Sequence, residues 1–236
     1  MPDASKSTST SGDAPVRESA ASRWPDEVWT TLLEELNYAG LRTMERVSKK
    51  MKALVESDKF DLTLFRVKPT KKKLTPLNKL TIHPMLDAVD CVDITTTEAR
   101  IFSFLDDNED EDGEKGEGVD SGPKTFNAYD YPACDEFATQ PPCTQMLVTV
   151  HAGGKPLQVT DRNGVKNRRI FKALGMFWQK KAPPHLVQQA VEYSGVKAED
   201  AKMVHCLGDH RFFEGWQSAT VRNDGTVDLE ANWFGS

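Results

Sequence analysis

Apolar residues spaced three and four positions apart fill residues 24–66, and this spacing constrains the fold more than any other feature of the chain. Val28, Leu32 and Leu36 recur every fourth residue, so they line one face of a helix. Pro25 suits the first position of that helix, because the N–H that proline lacks would have no partner there. The sequence therefore predicts an amphipathic helix at the start of this segment.

Two shorter helices are predicted after the first. Residues 37–40, Asn-Tyr-Ala-Gly, are typical of a tight turn. Three short helices in about forty residues bury little surface by themselves, so we expect a partner or another part of the chain to cover some of their apolar side chains. The apolar positions of the second helix are Leu41, Met44 and Val47, and those of the third are Met51, Leu54 and Val55.

The order of residues in this segment resembles an F-box. The family pattern runs from Leu-Pro-x-Glu-aliphatic through an apolar helix, a short polar turn and a Leu-rich helix to a Val-Ser-Lys/Arg step into a basic helix. Pro25, Glu27 and Val28 match the start of this pattern, and residues 47–49 match the step. Trp24 stands where the family usually has Leu, and the turn lacks the charged residues that the family usually has there.

The resemblance implies a substrate adaptor. F-box proteins bind a Skp-family adaptor through the F-box, and that adaptor links them to a cullin–RING ubiquitin ligase. They are not enzymes; they hold a substrate protein near the charged ubiquitin carrier and so raise its effective concentration. The resemblance assigns adaptor binding to Trp24, Pro25, Glu27, Val28, Leu32, Leu33, Leu36, Leu41, Met44 and Val47.

Two alternatives stay open. In the first, the F-box acts outside a ligase, as a tether or stabiliser of a bound protein. In the second, residues 80–236 bind a small molecule or catalyse a reaction, and the N-terminal helices are only core. Exposed apolar surface on these helices favours the adaptor, because such patches mark interaction sites, whereas burial against residues 80–236 favours the second alternative.

Composition divides the chain further. Residues 106–117 carry eight acidic groups and one lysine, a net charge of −7, against a formal charge of −6 for the whole chain. Charge repulsion and interspersed glycine predict a disordered acidic loop there. We predict a disordered tail over 1–22, the F-box over 23–66, a basic linker over 67–79, and an α+β substrate-recognition domain over 80–236 with the acidic loop at about 106–122.

The predicted fold class is α+β, with the three-helix F-box unit ahead of a mixed domain that ends in a β-hairpin. Residues 146–150 and 157–160 are predicted strands, and residues 170–178 are a predicted helix with a core-facing stripe. Strict alternation of apolar and polar residues over 227–233 predicts the last strand.

The register of that hairpin follows from its turn. A two-residue Asp-Gly turn sets Val221 opposite a polar residue, whereas a three-residue turn with Gly225 left-handed sets it opposite Val227. The second register also sets Ala219 opposite Leu229. We predict the second register, because it pairs apolar residues with apolar residues.

No catalytic signature is present in the sequence: GxSxG, GxGxxG and HExxH are all absent. His205, Cys206, Asp209 and His210 lie close in sequence, as a Cys–His nucleophile pair or a metal site requires. Neighbouring side chains on a strand point apart, however, so we interpret these four as scattered polar residues. We expect no catalytic residue, no metal and no cofactor.

Cysteine use and hydropathy predict a cytoplasmic and/or nuclear protein. The cysteines show no zinc-finger spacing, so we expect reduced thiols. No segment is apolar enough to cross a bilayer or to form the core of a signal peptide. Outside the acidic run the net charge is about +1, which directs the chain to neither nucleic acid nor membrane. The cysteines are Cys91, Cys134, Cys143 and Cys206.

Deletion of residues 107–121 is expected to leave the melting temperature nearly unchanged, because a stretch this charged and glycine-rich adds nothing to a core. Thermal unfolding followed by circular dichroism measures the effect. A large fall in melting temperature would mean that the acidic run docks on a basic face, such as the one that carries Arg168 and Arg169.

Overall fold

The computed structural model describes residues 23–92, 94–102, 125–150, 155–207 and 213–233. The predicted N-terminal tail and acidic loop lie outside the described residues. Contacts divide the chain into two compact units, Met1–Leu36 and Asn37–Ser236, and each is described by itself. The sequence analysis places a boundary after residue 66 instead, and those domain bounds stay a prediction.

The first unit contains helix α1, Asp26–Glu34. Pro25 precedes it as an extended N-cap, so the helix begins one residue later than the sequence predicts. Asp26 and Glu27 place two carboxylates at the positive end of the helix dipole, which favours this start. Leu33 is the buried residue of the helix.

The second unit begins with two helices, α2 at Tyr38–Val47 and α3 at Lys49–Val55. Asn37 caps α2 and Ser48 caps α3, each by accepting a hydrogen bond from a backbone N–H three residues further on. The predicted tight turn at residues 37–40 is therefore wrong beyond its first residue. With Asn37 as cap, the chain enters the helix at once.

A 3-10 helix, Asp58–Phe60, follows and leads to a turn in which Phe65 has a left-handed backbone with φ of 55°. A non-glycine residue held in this region costs about 1–3 kcal/mol. The carbonyl of Phe65 accepts the N–H of Phe137 at 2.9 Å, and the Phe65 ring centroid lies 4.7 Å from that of His83. These contacts offset the strain and fix the point at which the chain leaves its helices.

Two small antiparallel sheets and one short helix come next. β1 (Thr81–Ile82) pairs with β4 (Thr139–Gln140), and β2 (Arg100–Phe102) pairs with β3 (Thr125–Asn127). Helix α4, Pro84–Ala88, follows β1 directly. The pairing of β1 with β4 brings the end of the 130s of the sequence beside the 80s.

A four-stranded sheet organises the C-terminal part, with strand order β6-β5-β8-β7. Its two outer pairs, β5 with β6 and β7 with β8, are antiparallel, whereas β5 and β8 in the middle are parallel. The strands are β5 Gln145–Thr149, β6 Leu157–Thr160, β7 Phe213–Val221 and β8 Val227–Trp233.

The predicted register of the C-terminal hairpin is confirmed. Val221 faces Val227, and Ala219 faces Leu229. Gly225 has a φ of 80°, the left-handed conformation that a three-residue turn requires. The apolar pairing therefore selected the register, and it places Leu229 in the core with 1% of its surface exposed.

Helix α5, Asn167–Trp178, carries the predicted core-facing stripe, and α6, Pro184–Ser194, follows it. The indole N–H of Trp178 donates to the carbonyl of Cys91 at 2.6 Å, which anchors the end of α5. The chain is thus a mixed α+β protein, as predicted, and α1–α3 precede its β-rich part, residues 81–233. The buried stripe of α5 consists of Ile170, Phe171, Leu174 and Trp178.

Gly175 allows α5 to approach the backbone of Thr95 closely. A Cβ at Gly175 would lie 2.4 Å from the carbonyl carbon of Thr95. Gly175→Ala is therefore expected to lower the free energy of unfolding by about 1–3 kcal/mol, although alanine is the better helix former.

Met176→Ala, at an exposed position of the same helix, is the matched control and is expected to change that free energy by less than about 0.5 kcal/mol. Urea unfolding measures both variants. Wild-type stability in Gly175→Ala would contradict the close approach.

Candidate functional site

Helix α1 and the two residues before it, Trp24 and Pro25, which we call its lead-in, expose an apolar stripe. Trp24, Val28 and Leu32 are 46%, 43% and 46% exposed, and they recur every fourth residue. Four-residue spacing places Val28 and Leu32 on one face of the helix, and Trp24 lies just ahead of the helix, before the extended Pro25. The Trp24 ring centroid lies 5.5 Å from that of Trp29, so the exposed indole is held by a second aromatic ring.

Other adaptor-binding residues assigned by the resemblance in this unit differ in exposure. Pro25 and Glu27 are exposed beside the stripe, and Leu36 is half-buried. Leu33 is 1% exposed and offers no surface to a partner in this conformation. Its role in binding stays a prediction.

The assigned residues on α2 belong to the second unit. Leu41 is fully buried, Met44 is half-buried, and Val47 is 64% exposed at the end of the helix. Val47 is therefore the one of these three that a partner could contact broadly. Because Leu41 is fully buried, it contributes to the packing of α2 and not to a surface that a partner could contact.

A buried polar cluster, centred on the carboxylate of Glu136, ties α2 to the β-rich part. Glu136 is 6% exposed, yet both of its oxygens accept hydrogen bonds. Tyr38 donates its hydroxyl to Oε2 at 2.8 Å, and His83 contacts the same oxygen through Nε2 at 3.1 Å. Arg42 and Arg66 both donate to Oε1, the latter at 3.2 Å.

Two arginines and two glutamates in this cluster form a closed ring of alternating charges. Arg42 donates to Glu45 at 2.6 Å and to Glu136. Arg66 also donates to both, at 3.0 Å to Glu45 and 3.2 Å to Glu136. The four charges sum to zero. An unpaired charge in such a place would cost several kcal/mol, so the ring depends on all four members.

The histidine of the cluster is neutral. Nδ1 of His83 accepts the backbone N–H of Met85 at 3.0 Å, so the ring proton sits on Nε2 and is donated to Glu136. Burial lowers the pKa of His83, which also favours the neutral form. Burial by itself would raise the pKa of Glu136, but the His83 hydrogen bond and the Arg42 charge outweigh it and lower the pKa to about 2.

This cluster holds structure together and leaves no group free for chemistry. Both oxygens of Glu136 are occupied, and its depressed pKa makes it a poor general base at neutral pH. Sequence reasoning missed the cluster. The available signal is the polar spacing of Tyr38, Arg42 and Glu45 along α2, which is equally typical of a helix face in water.

The structure describes half of the His/Cys group that the sequence brings together. His205 and Cys206 lie in a 3-10 helix, Met203–Leu207, and the rest of that group lies outside the described residues. Burial raises the pKa of the Cys206 thiol, which disfavours the nucleophilic thiolate. Among the described residues, no group of three or more His, Cys, Asp or Glu side chains is placed to hold a metal ion.

Glu136 is expected to make folding stability depend on pH. Its pKa is about 2 in the folded chain and near 4.5 normally, so its contribution is complete above pH 4.5 and disappears as the pH falls toward 2. Glu136→Gln is expected to be about 3–5 kcal/mol less stable than wild type at pH 7, because it leaves buried arginines underpaired. The difference should shrink below pH 4.5, and urea unfolding at each pH measures it.

Glu98→Gln is the matched control, since Glu98 pairs with Arg100 at the surface, where both side chains are about half exposed. His83 also lowers the stability of the folded chain at acid pH. Its lowered pKa keeps it neutral in the folded chain, whereas the same histidine takes up a proton in the unfolded chain. Tyr38→Phe tests the same cluster if Glu136→Gln does not fold. A difference between Glu136→Gln and wild type that stays constant from pH 7 to 3 would contradict the ionised carboxylate.

Comparisons with protein-family models, with curated proteins and with solved structures find no match to this chain. In the part of the chain that the structure describes, no helix has the length and apolar character needed to cross a membrane. Two features of the described residues therefore bear on function, the exposed apolar stripe of α1 and the buried cluster that holds α2 in place.

Proposed function

We propose that this protein is an F-box-type substrate adaptor. In this proposal α1 and its lead-in bind a Skp-family adaptor, and that adaptor connects the chain to a cullin–RING ubiquitin ligase. The C-terminal α+β part holds the substrate protein. The observation that carries the proposal is the exposed stripe of Trp24, Val28 and Leu32.

The stripe has the properties of a helix that binds in a groove. Anchors of such helices recur at intervals of three and four residues, as these three do. Tryptophan is among the residues that most often dominate binding energy, and Trp24 is nearly half exposed. Apolar surface that stays in water lowers solubility, and exposed patches of this kind often mark the sites at which a partner binds.

The Glu136 cluster supports the same proposal through α2. An adaptor brings a substrate to a ligase by effective concentration, which falls when the connection between the two binding parts is long and flexible. Here the charge ring and the Tyr38 hydroxyl fix α2 directly on the β-rich part. The second helix of the F-box-like segment is therefore rigidly connected to the part that would carry the substrate.

The same cluster also favours the alternative in which the N-terminal helices are only core. Leu41 is fully buried, and Tyr38 and Arg42 reach into the β-rich part, as core helices do. That alternative does not account for the exposure of Val28 and Leu32 on α1. Adaptor binding by α1 therefore separates the two interpretations.

Leu32→Asp is the direct test. A charge within an apolar anchor strip is expected to weaken adaptor binding by about 2 kcal/mol or more, which is about thirtyfold, without loss of folding, because Leu32 is half exposed. Co-expression with a Skp-family adaptor, followed by size exclusion and calorimetry, measures the complex. Addition of a cullin to the wild-type complex tests whether binding leads to a ligase, since a tether would stop at the adaptor.

Leu77→Asp is the matched control. Leu77 is 96% exposed and lies outside the F-box-like segment, so the same chemical change should leave adaptor binding intact. Both variants should melt within a few degrees of wild type, because exposed substitutions rarely change stability by more than about 0.5 kcal/mol. If folded wild-type protein forms no complex at micromolar concentration, α1 is not an adaptor-binding helix.

A further inference from the structure

A polar cavity opens in the second unit, and its lining residues are not members of the Glu136 cluster. Its volume is about 690 Å³, and it lies between the start of β5, the end of β6 and the first turn of α5. Pockets for drug-like ligands are lined mainly by apolar side chains. Every described residue that lines this one is polar: Thr144, Gln145, Thr160, Asp161, Arg162 and Arg169.

The two arginines of the cavity form no ion pair within the described part of the chain. Nearby arginines behave differently, since Arg168 donates two hydrogen bonds to Asp135 at 2.8 Å, and Arg222 pairs with Asp228. One oxygen of Asp161, the cavity's own carboxylate, already accepts the backbone N–H of Asn163 at 2.9 Å. The cavity therefore carries a surplus of positive charge.

Further donors surround the arginines. Gln145 accepts a hydrogen bond from Thr226 through Oε1, which leaves its NH₂ group to donate elsewhere. Thr144 and Thr160 each contribute a hydroxyl. Arg169 lies in the first turn of α5, a helix of 12 residues whose N-terminus has no side-chain cap, so the positive end of its dipole adds to the same field.

The walls of the cavity are held by backbone hydrogen bonds, so its backbone is fixed before a ligand arrives. Asp161 donates its N–H to the carbonyl of Thr144 at 3.0 Å, and Val165 donates to Cys143 at 2.8 Å. Between them, Gly164 packs so closely on Phe137 that a Cβ would lie 2.4 Å from the ring. The backbone of the site therefore loses little entropy on binding, and the ordering cost falls on the exposed arginine side chains.

We propose that this cavity binds one oxyanion group, a carboxylate or phosphate, carried on a side chain of a partner protein. Arginine forks match the planar oxygens of carboxylate and the tetrahedral oxygens of phosphate, and the surplus charge supplies the attraction. Nucleic acid is the weaker fit, because the described residues that line the cavity include no aromatic ring to stack a base. The proposal does not depend on adaptor binding by α1.

The test uses the full chain, with the Nε–Hε signals of its arginines observed by ¹⁵N NMR. The probe is the heptapeptide Ala-Ala-Gln-X-Gln-Ala-Ala, amidated at its C-terminus, with X as phosphoserine, glutamate or alanine. The phosphoserine and glutamate peptides are expected to shift the signals of Arg162 and Arg169 saturably, and the alanine peptide to bind about tenfold more weakly. Inorganic phosphate should compete for the same two signals.

The double variant Arg162→Ala with Arg169→Ala should lose binding by about tenfold or more. Lys172→Ala removes an exposed cation of the same helix outside the cavity lining, so it is the matched control and should bind as wild type does. Three results would overturn the proposal: no saturable shift with any peptide, equal binding by the double variant, or a single-stranded oligonucleotide that binds the two arginines more tightly than the phosphoserine peptide. Fluorescence anisotropy of labelled peptides gives the affinities independently.

Discussion

The carboxylate of Glu136 is the constraint on which the second unit depends. A buried charge is tolerable only when every oxygen has its partners, and those partners come from α2, from the residue that follows the Phe65 turn, and from the N-cap of α4. Each of these segments must therefore reach one point. The left-handed Phe65 is part of that requirement, because its carbonyl binds the N–H of Phe137, next to Glu136 in the chain.

Helices α1 and α2, which the sequence groups together, have different roles. On α2, the tyrosine, arginine and glutamate face the buried ring of charges, and Leu41 fills the core. On α1, by contrast, Val28 and Leu32 remain in water. On α2 a polar face is buried, and on α1 an apolar face is exposed, which is the reverse of the usual amphipathic pattern. Glu136 pairs with the buried polar face of α2, and in our proposal the adaptor covers the exposed apolar face of α1.

Local patterns predicted what depends on neighbours in sequence. The hairpin register follows from three turn residues and the pairing of Val221 with Val227, and the buried face of α5 follows from its period. The parallel pairing of β5 with β8 joins strands about eighty residues apart, and Tyr38 and Glu136 are 98 residues apart, so no local pattern records either. The cavity arginines were visible only as basic residues, because their lack of ion-pair partners among the described residues is a property of the fold.

The two proposed surfaces use opposite chemistry, and that difference makes them separable. Binding through Trp24, Val28 and Leu32 removes apolar surface from water, so salt should affect it little. Binding through Arg162 and Arg169 is electrostatic and exposed, so screening within a Debye length of about 8 Å at physiological salt weakens it. A protein that joins two partners gains from such a division. The apolar contact can stay bound while ionic strength, or phosphorylation of the second partner, changes the affinity of the electrostatic contact.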